Sequence, residues 1–352
     1  MGGQKSLLAL IDNLDFDRYE PEVIIPESGS LGNELEKRGI RTYQLRVPGF
    51  KPTNYYKVYK TYLDLKKIVF TNNIKIIHSD HDKFMFLASF LKKQVKTVYH
   101  ARVVHSHKYD KYLQQRLDAI IGISEGVLQR FDKSNNAYKL HKIYNGVDCN
   151  LFSPIDNRIE LRNTLELDTQ KFTVLFVGQM KVGKGIFDLL KAADILKKEN
   201  IQFLFVGDFL DTQIRDEWMK IRDDLSLNNV EWCGQKQNIQ NWMKASDVLI
   251  LPSHEGVEGM GRVLFEAMAC GTPTIASDTS GVREAITPET GILFEEKSAN
   301  EIADAIFELK NNNQRWQSMS EEGRNRALSV FDIKIHANKV QSVYQNLLND
   351  YD

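Results

Sequence analysis

Short apolar runs recur along the chain, each followed by a stretch in which apolar positions return every third or fourth residue. The runs read as buried parallel strands and the stretches between them as helices with one apolar face. A first set of strands is expected at 22–26, 42–47, 75–79, 96–101, 119–124 and 141–145. Helices are expected at 6–14, 31–38, 54–70, 84–91 and around 109–117. A crossing segment from Gly146 to about Lys171 leads to a second set of strands, at 173–178, 203–207, 230–234, 248–252, 274–277 and 292–295. Helices at 186–199, 212–226, 238–245, 261–270, 281–286 and 299–311 fall between or after these, and 314–348 reads as helical with a break near Phe331. Such alternation implies an α/β protein with doubly wound parallel sheets. At 352 residues the chain exceeds one ordinary core and divides into two domains.

One stretch, Ser253 to Pro273, carries more than patterning. Gly256, Gly259 and Gly261 make the loop after the run Val248–Pro252 pliable enough for backbone to approach a ligand. A helix should then run from near Gly261 to Gly271, where glycine suits a left-handed cap and Pro273 blocks continuation. Val263, Leu264, Phe265, Ala267, Met268, Ala269 and Cys270 leave it no polar face, so it should be buried all round. Glu266 sits in its middle, and a carboxylate there needs a partner. Two readings stand: an ion pair with Arg262 one turn earlier, or an acceptor for ligand hydroxyls at the C-terminal edge of a parallel sheet. Glu258 stands just ahead of the helix start, where the dipole favours an anion. Carboxylates for hydroxyls beside amides for phosphate suit a nucleotide sugar.

Charge is unevenly spread. Residues 1–150 hold 24 lysines and arginines against 16 acidic residues, a balance of +8, which leaves −9 for the rest. The excess gathers between Lys51 and Lys111, where Tyr55, Tyr56, Tyr59 and Tyr62 alternate with Lys57, Lys60, Lys66 and Lys67. Such a helix can lie on an anionic membrane surface, or be a solvated lysine face over a tyrosine-lined core. Nothing resembles a base-reading module, so nucleic acid is not an expected partner. No apolar run approaches the roughly 20 residues that span a bilayer. Cys149, Cys233 and Cys270 lack metal-like spacing and argue against disulfides. The expected location is cytoplasmic, with peripheral attachment to the membrane's cytoplasmic face as its variant.

Glu258-x7-Glu266, set between a strand ending Leu-Pro-Ser and a helix ending Ala-Met-Ala-Cys-Gly-Thr-Pro, resembles the signature of retaining glycosyltransferases of family 4. Asn145-Gly-Val-Asp148, Lys184-Gly185 and Gly281 extend the match along almost the whole chain. The resemblance implies the GT-B fold, two Rossmann-like domains facing across a cleft. These would be residues 1–152, which bind the acceptor, and 153–331, which bind the nucleotide sugar, with 332–352 crossing back to the first. In relatives a Gly-Gly pair like Gly2-Gly3 follows a first β-strand that is absent here. Its loss would leave a slot of unpaired backbone groups in the first sheet, and the expectation is a start further upstream or a truncated chain, favoured over another segment filling the slot.

The resemblance also assigns roles. Glu258 would hold hydroxyls of the donor sugar and Glu266 the ribose. Lys184, with the backbone at Gly259, Met260, Gly261, Arg262 and Val263, would meet the diphosphate, near Gly3. Gln179 stands where relatives usually carry arginine, and Lys181 or Arg262 is the candidate for the missing charge. Gly207-Asp208 and Gly234-Gln-Lys236 would bracket the nucleobase. His100 would lie near the transferred sugar and acceptor. Read from the residues themselves, Arg102, His105 and His107 after it either bind an acceptor phosphate or form an ordinary polar loop. Glu258, Lys184 and His100 are thus the expected catalytic set. Asp15-Phe-Asp17 and Asp80-His-Asp82 match a metal motif of a different glycosyltransferase fold, and no metal or cofactor is expected. The implied activity moves a hexose or N-acetylhexosamine from a nucleoside diphosphate sugar, UDP favoured over GDP, to a glycan or lipid-linked acceptor in cell-envelope polysaccharide synthesis. The competing reading is a non-catalytic GT-B subunit. A nicotinamide oxidoreductase is disfavoured because no G-x-G-x-x-G opens either unit.

Overall fold

Every strand pairing among the described residues is parallel, which follows from helices being interposed between successive strands. The computed structural model describes residues 2–349; Met1 and residues 350–352, which the domain expectation includes, lie outside them. The chain divides into two units, Met1–Gly146 with Ile333–Asp352, and Val147–Asp332.

The second unit is built on a six-stranded sheet of β7 (Phe172–Val177), β8 (Ile201–Val206), β9 (Val230–Gly234), β10 (Val248–Leu251), β11 (Thr274–Ser277) and β12 (Gly291–Phe294). Their spatial order is β12-β11-β10-β7-β8-β9. The order reverses between β7 and β10, so the crevice outside the carboxyl ends of those two strands is where an open α/β sheet receives ligands. β10 and β11 are buried along their whole length, as strands covered on both faces must be. Phe176, Phe203, Phe205 and Trp218 anchor the core on one side of the sheet.

In the first unit, β1 (Glu22–Ile25) pairs with β2 (Arg41–Gln44), and β3 (Ile76–Ser79), β4 (Lys96–Ala101), β5 (Ala119–Gly122) and β6 (Leu140–Lys142) form a four-stranded sheet in that order. No described strand joins the two pieces. The helix Ile333–Asn349 lays Ala337, Val340, Val343 and Tyr344 against Val98, Ala119, Ile121 and Ile143 of the four-stranded piece.

Three expectations need correction. The helix expected at 281–286 does not form; residues 281–285 are a run of turns. Thr279 O accepts the N–H of both Val282 and Arg283, and Gly281 is wedged where any Cβ would collide with the Glu258 carbonyl. The crossing segment contains a helix, Arg158–Thr164, capped by the Asn157 side chain. The helix Tyr55–Thr71 does not turn a tyrosine-lined face inward. Its buried line is Thr61, Leu65 and Val69, while Tyr55 and Tyr56 are 80% and 76% exposed beside exposed Lys57 and Lys60.

Candidate functional site

The loops leaving β7 and β10 are fastened to each other. After β7 the chain turns through Gly183, Lys184 and Gly185, and Gly185 is left-handed at φ 69° as it caps the helix Ile186–Ile195. A Cβ at Gly185 would strike Pro252 O, and one at Gly183 would press on Val257. Both glycines are therefore demanded by the close approach of the β10 loop. His254 N donates to Gly183 O at 2.9 Å, and His254 Nε2 pairs with Asp188 Oδ2 at 2.8 Å. With the two loops so held, Lys184 Nζ forms an ion pair with Glu258 Oε1, and Ser253 Oγ donates to the same oxygen at 3.2 Å. Both side chains retain a minor exposed fraction, 15% and 14%. An ammonium and a carboxylate thus converge at the reversal point of the sheet. His254 and Asp188 were not singled out from sequence, where each reads as an ordinary polar residue.

The helix expected after Glu258 runs Arg262–Ala269, entered through left-handed Gly261 (φ 68°) and left through left-handed Gly271 (φ 72°). Glu266 is nearly buried in it, and Arg262 Nε lies 2.9 Å from Glu266 Oε1. The ion-pair reading of Glu266 therefore holds, but in a sheltered place rather than on an open surface. Met260 is buried, whereas Gly259, Arg262 and Val263 are partly exposed. Gln179 is exposed just past β7. Lys236 is exposed after β9, its ammonium 4.9 Å from the Trp242 ring centre. Gly207, at φ 147°, is pressed against the Gly178 carbonyl, which aligns the ends of β7 and β8.

Gly3, His100 and Arg102 belong to the first unit. His100 ends β4 fully buried. Arg102 Nη1 donates to Asn145 Oδ1 at 2.6 Å, its Nε lies 3.2 Å from Asp80 Oδ2, and Gly3 sits where a Cβ would be 3.2 Å from that same oxygen. Asp80 thus pairs with Arg102 and lies beside Gly3 in the helix Gly2–Ile11, while Asp82 faces His107 at 3.2 Å. Unanticipated neighbours surround His100: His78 at 3.1 Å, with His336 stacked at a centroid distance of 5.9 Å. Burial, then the charge of Arg102, holds His100 well below the usual histidine range and His78 down to about 3. Burial likewise takes His336 down to about 4. All three rings are neutral at pH 7. The legible signal was the alternation that points His78 and His100 to one sheet face, and the eight-residue spacing of His336 and Tyr344 on one helix.

Two family models match the chain: one described as Glycosyl transferases group 1 over residues 157–326, the other as Glycosyltransferase Family 4 over residues 2–151. Among curated proteins, the GDP-mannose-dependent monoacylated alpha-(1-6)-phosphatidylinositol monomannoside mannosyltransferase of Corynebacterium glutamicum is 25% identical over 242 residues, covering 65% of this chain and 62% of that one. The UDP-Gal:alpha-D-GlcNAc-diphosphoundecaprenol alpha-1,3-galactosyltransferase of Escherichia coli is 23% identical, covering 99% and 94%. Among solved structures, a glycosyltransferase from Rickettsia africae superposes with a TM-score of 0.89 at 21% identity, covering 99% and 95%. Anabaena Alr3699/HepE in complex with UDP and glucose does so with a TM-score of 0.83 at 19% identity, covering 98% and 96%.

Proposed function

The chain belongs to the group 1, family 4 glycosyltransferases and has their GT-B fold, and on that premise we propose that it transfers a hexose or N-acetylhexosamine, with retention, from a nucleoside diphosphate sugar to a hydroxyl. UDP is the favoured carrier, in keeping with the UDP-bound Anabaena neighbour. The acceptor is a glycan or lipid-linked intermediate of cell-envelope polysaccharide, in keeping with the diphosphoundecaprenol named for the Escherichia coli relative. The observation that carries this reading is the convergence of Lys184 and Glu258 at the reversal point between β7 and β10, beside the positive end of the helix Arg262–Ala269.

In this reading Lys184 and the helix start neutralise the diphosphate as the glycosidic C–O bond breaks, the stage at which preorganised charge lowers the barrier most. The acceptor hydroxyl attacks the anomeric carbon from the face the diphosphate leaves. The departing phosphate oxygen takes the acceptor's proton, so atoms and charge balance without an enzyme nucleophile. Glu258 holds sugar hydroxyls through the step, Glu266 faces the ribose, and His100 and Arg102 serve the acceptor side. The exposed tyrosines and lysines of the helix Tyr55–Thr71 rest on an anionic membrane that presents the lipid-linked acceptor. No described helix is long and apolar enough to cross a membrane.

The test is nucleotide release from a panel of UDP- and GDP-sugars, with short-chain lipid diphosphate glycans as acceptors. Acceptor-dependent UDP release, with the new linkage in the anomeric form of the donor, is the expected outcome. Tight nucleotide binding without turnover on any donor would instead identify a non-catalytic subunit.

A further inference from the structure

Four polar side chains of the first unit form one hydrogen-bonded line under the helix Ile333–Asn349. Tyr344 Oη meets His78 Nδ1, His78 Nε2 lies 3.1 Å from His100 Nδ1, and Arg102 Nη2 lies 3.4 Å from that same His100 nitrogen. His78 and His100 reach each other because both sit at even positions of paired parallel strands, with His78 in register with Val98. Tyr344 comes from the far end of the chain and packs its ring against His78 at 5.7 Å.

Donor and acceptor capacity fixes every proton in this line. A guanidinium has no acceptor, so the contact between Arg102 and His100 requires that His100 Nδ1 carry a lone pair. The neutral His100 ring then bears its proton on Nε2. His78 must offer Nε2–H to the His100 Nδ1 lone pair, which leaves His78 Nδ1 as the acceptor for the Tyr344 hydroxyl. Burial raises the Tyr344 phenol well above its ordinary range, so it remains a donor at any working pH. One group in the line is unanswered: His100 Nε2 is buried and has no protein partner. A buried donor left unpaired is costly and is rare in native proteins without a functional reason.

We propose that Tyr344 and His78 are positioning residues that lock His100 as its Nε2–H tautomer, keeping one hydrogen-bond donor in reserve for an oxygen of the bound substrate. The proposal rests on the glycosyl-transfer reading for the identity of that oxygen, a sugar or acceptor hydroxyl, but the tautomer itself does not. Without Tyr344 only the long 3.4 Å contact from Arg102 still holds the His100 tautomer, so His78 can reverse its own and accept from His100, which would turn His100 Nε2 into a lone pair and repel the oxygen it serves.

The experiment is long-range proton–nitrogen correlation on protein labelled with 15N-histidine, paired with steady-state kinetics. In the wild type His100 should show a protonated Nε2 and an unprotonated Nδ1 at pH 7. Tyr344→Phe should shift the His78 and His100 nitrogen resonances towards a tautomer mixture and lower kcat about tenfold, with donor KM within twofold. His78→Gln breaks the line from its other end and serves if Tyr344→Phe does not fold. A wild-type His100 protonated on Nδ1 overturns the proposal, as does a substitution that leaves either the spectrum or kcat unchanged. A wild type inactive on every donor would defeat the transfer reading and leave the tautomer assignment to the spectrum.

Discussion

Lys184 Nζ and Glu258 Oε1 are paired with each other, one following β7 and the other following β10, although 74 residues separate them in sequence. Each is also a group the proposed reaction needs for something else, the lysine for phosphate and the carboxylate for sugar hydroxyls. On that proposal, donor binding is an exchange of partners rather than the filling of a passive cradle.

That exchange predicts opposite effects on binding and turnover. Glu258→Gln should tighten UDP binding up to about tenfold, because Lys184 no longer has a competing anion, while turnover falls about 100-fold or more. Lys184→Ala should weaken both. Titration calorimetry with UDP and steady-state assays on the two variants check this. Weaker UDP binding in Glu258→Gln would show that the two groups do not compete.

Gly281 offers a backbone test. Its Cα faces the Glu258 carbonyl so closely that a methyl group has no room, so Gly281→Ala should cost about 1–3 kcal/mol in urea unfolding and displace the loop that carries Glu258. Gly49→Ala, where nothing lies within 4 Å of the new methyl, is the control and should be neutral. Equal stability of the two variants would contradict the packing described.

Acid should loosen the fold through the buried histidines. Their unfolded pKa is near 6.5, whereas the folded chain holds His336 down to about 4 and His78 to about 3. Depressed histidines favour the folded state fully above pH 6.5, and that advantage is lost as pH falls from 6.5 towards 4. Each contributes a slope of up to about 1.4 kcal/mol per pH unit in that window. Urea midpoints at pH 7, 6 and 5 should fall in sequence, and His336→Asn should flatten the trend. A midpoint that does not move between pH 7 and 5 would refute this.

Membrane attachment is tested by sedimentation with vesicles. The protein should bind vesicles rich in anionic lipid and not zwitterionic ones, and lose binding as salt rises. The triple replacement of Tyr55, Tyr56 and Tyr59 by Ser should weaken attachment without lowering the melting temperature, since these rings are exposed. Indifference to lipid charge would count against it.

Most of the architecture was legible because buried parallel strands write continuous apolar runs, as Val248–Leu251 and Thr274–Ser277 do. The helix at Arg262–Ala269 was legible from its two flanking glycines, and each is left-handed in the structure. What escaped depends on contacts distant in sequence. The turns at 281–285 follow from Gly281 meeting Glu258, and no local pattern announces that. The partnership of His254 with Asp188 and the line from Tyr344 to His100 join residues dozens to hundreds of positions apart. A periodicity reading sees each as an ordinary polar residue. The tyrosines of the helix Tyr55–Thr71 left two readings open, since a stripe of aromatic rings can be a core or an exposed face until the fold assigns it.

The helix Ile333–Asn349 completes the first unit with residues that are synthesised after the whole of the second. Val147 N donates to Phe331 O at 2.8 Å, so the outgoing and returning strands of chain lie side by side at the edge of the second unit. During translation, β3 to β6 emerge early but lack the cover that Ala337, Val340 and Tyr344 provide, whereas β7 to β12 and their helices are contiguous. The second unit, encoded without interruption, can therefore mature before the first is complete. The unit that emerges first must wait with an apolar sheet face open, the interval in which a nascent chain most needs a chaperone.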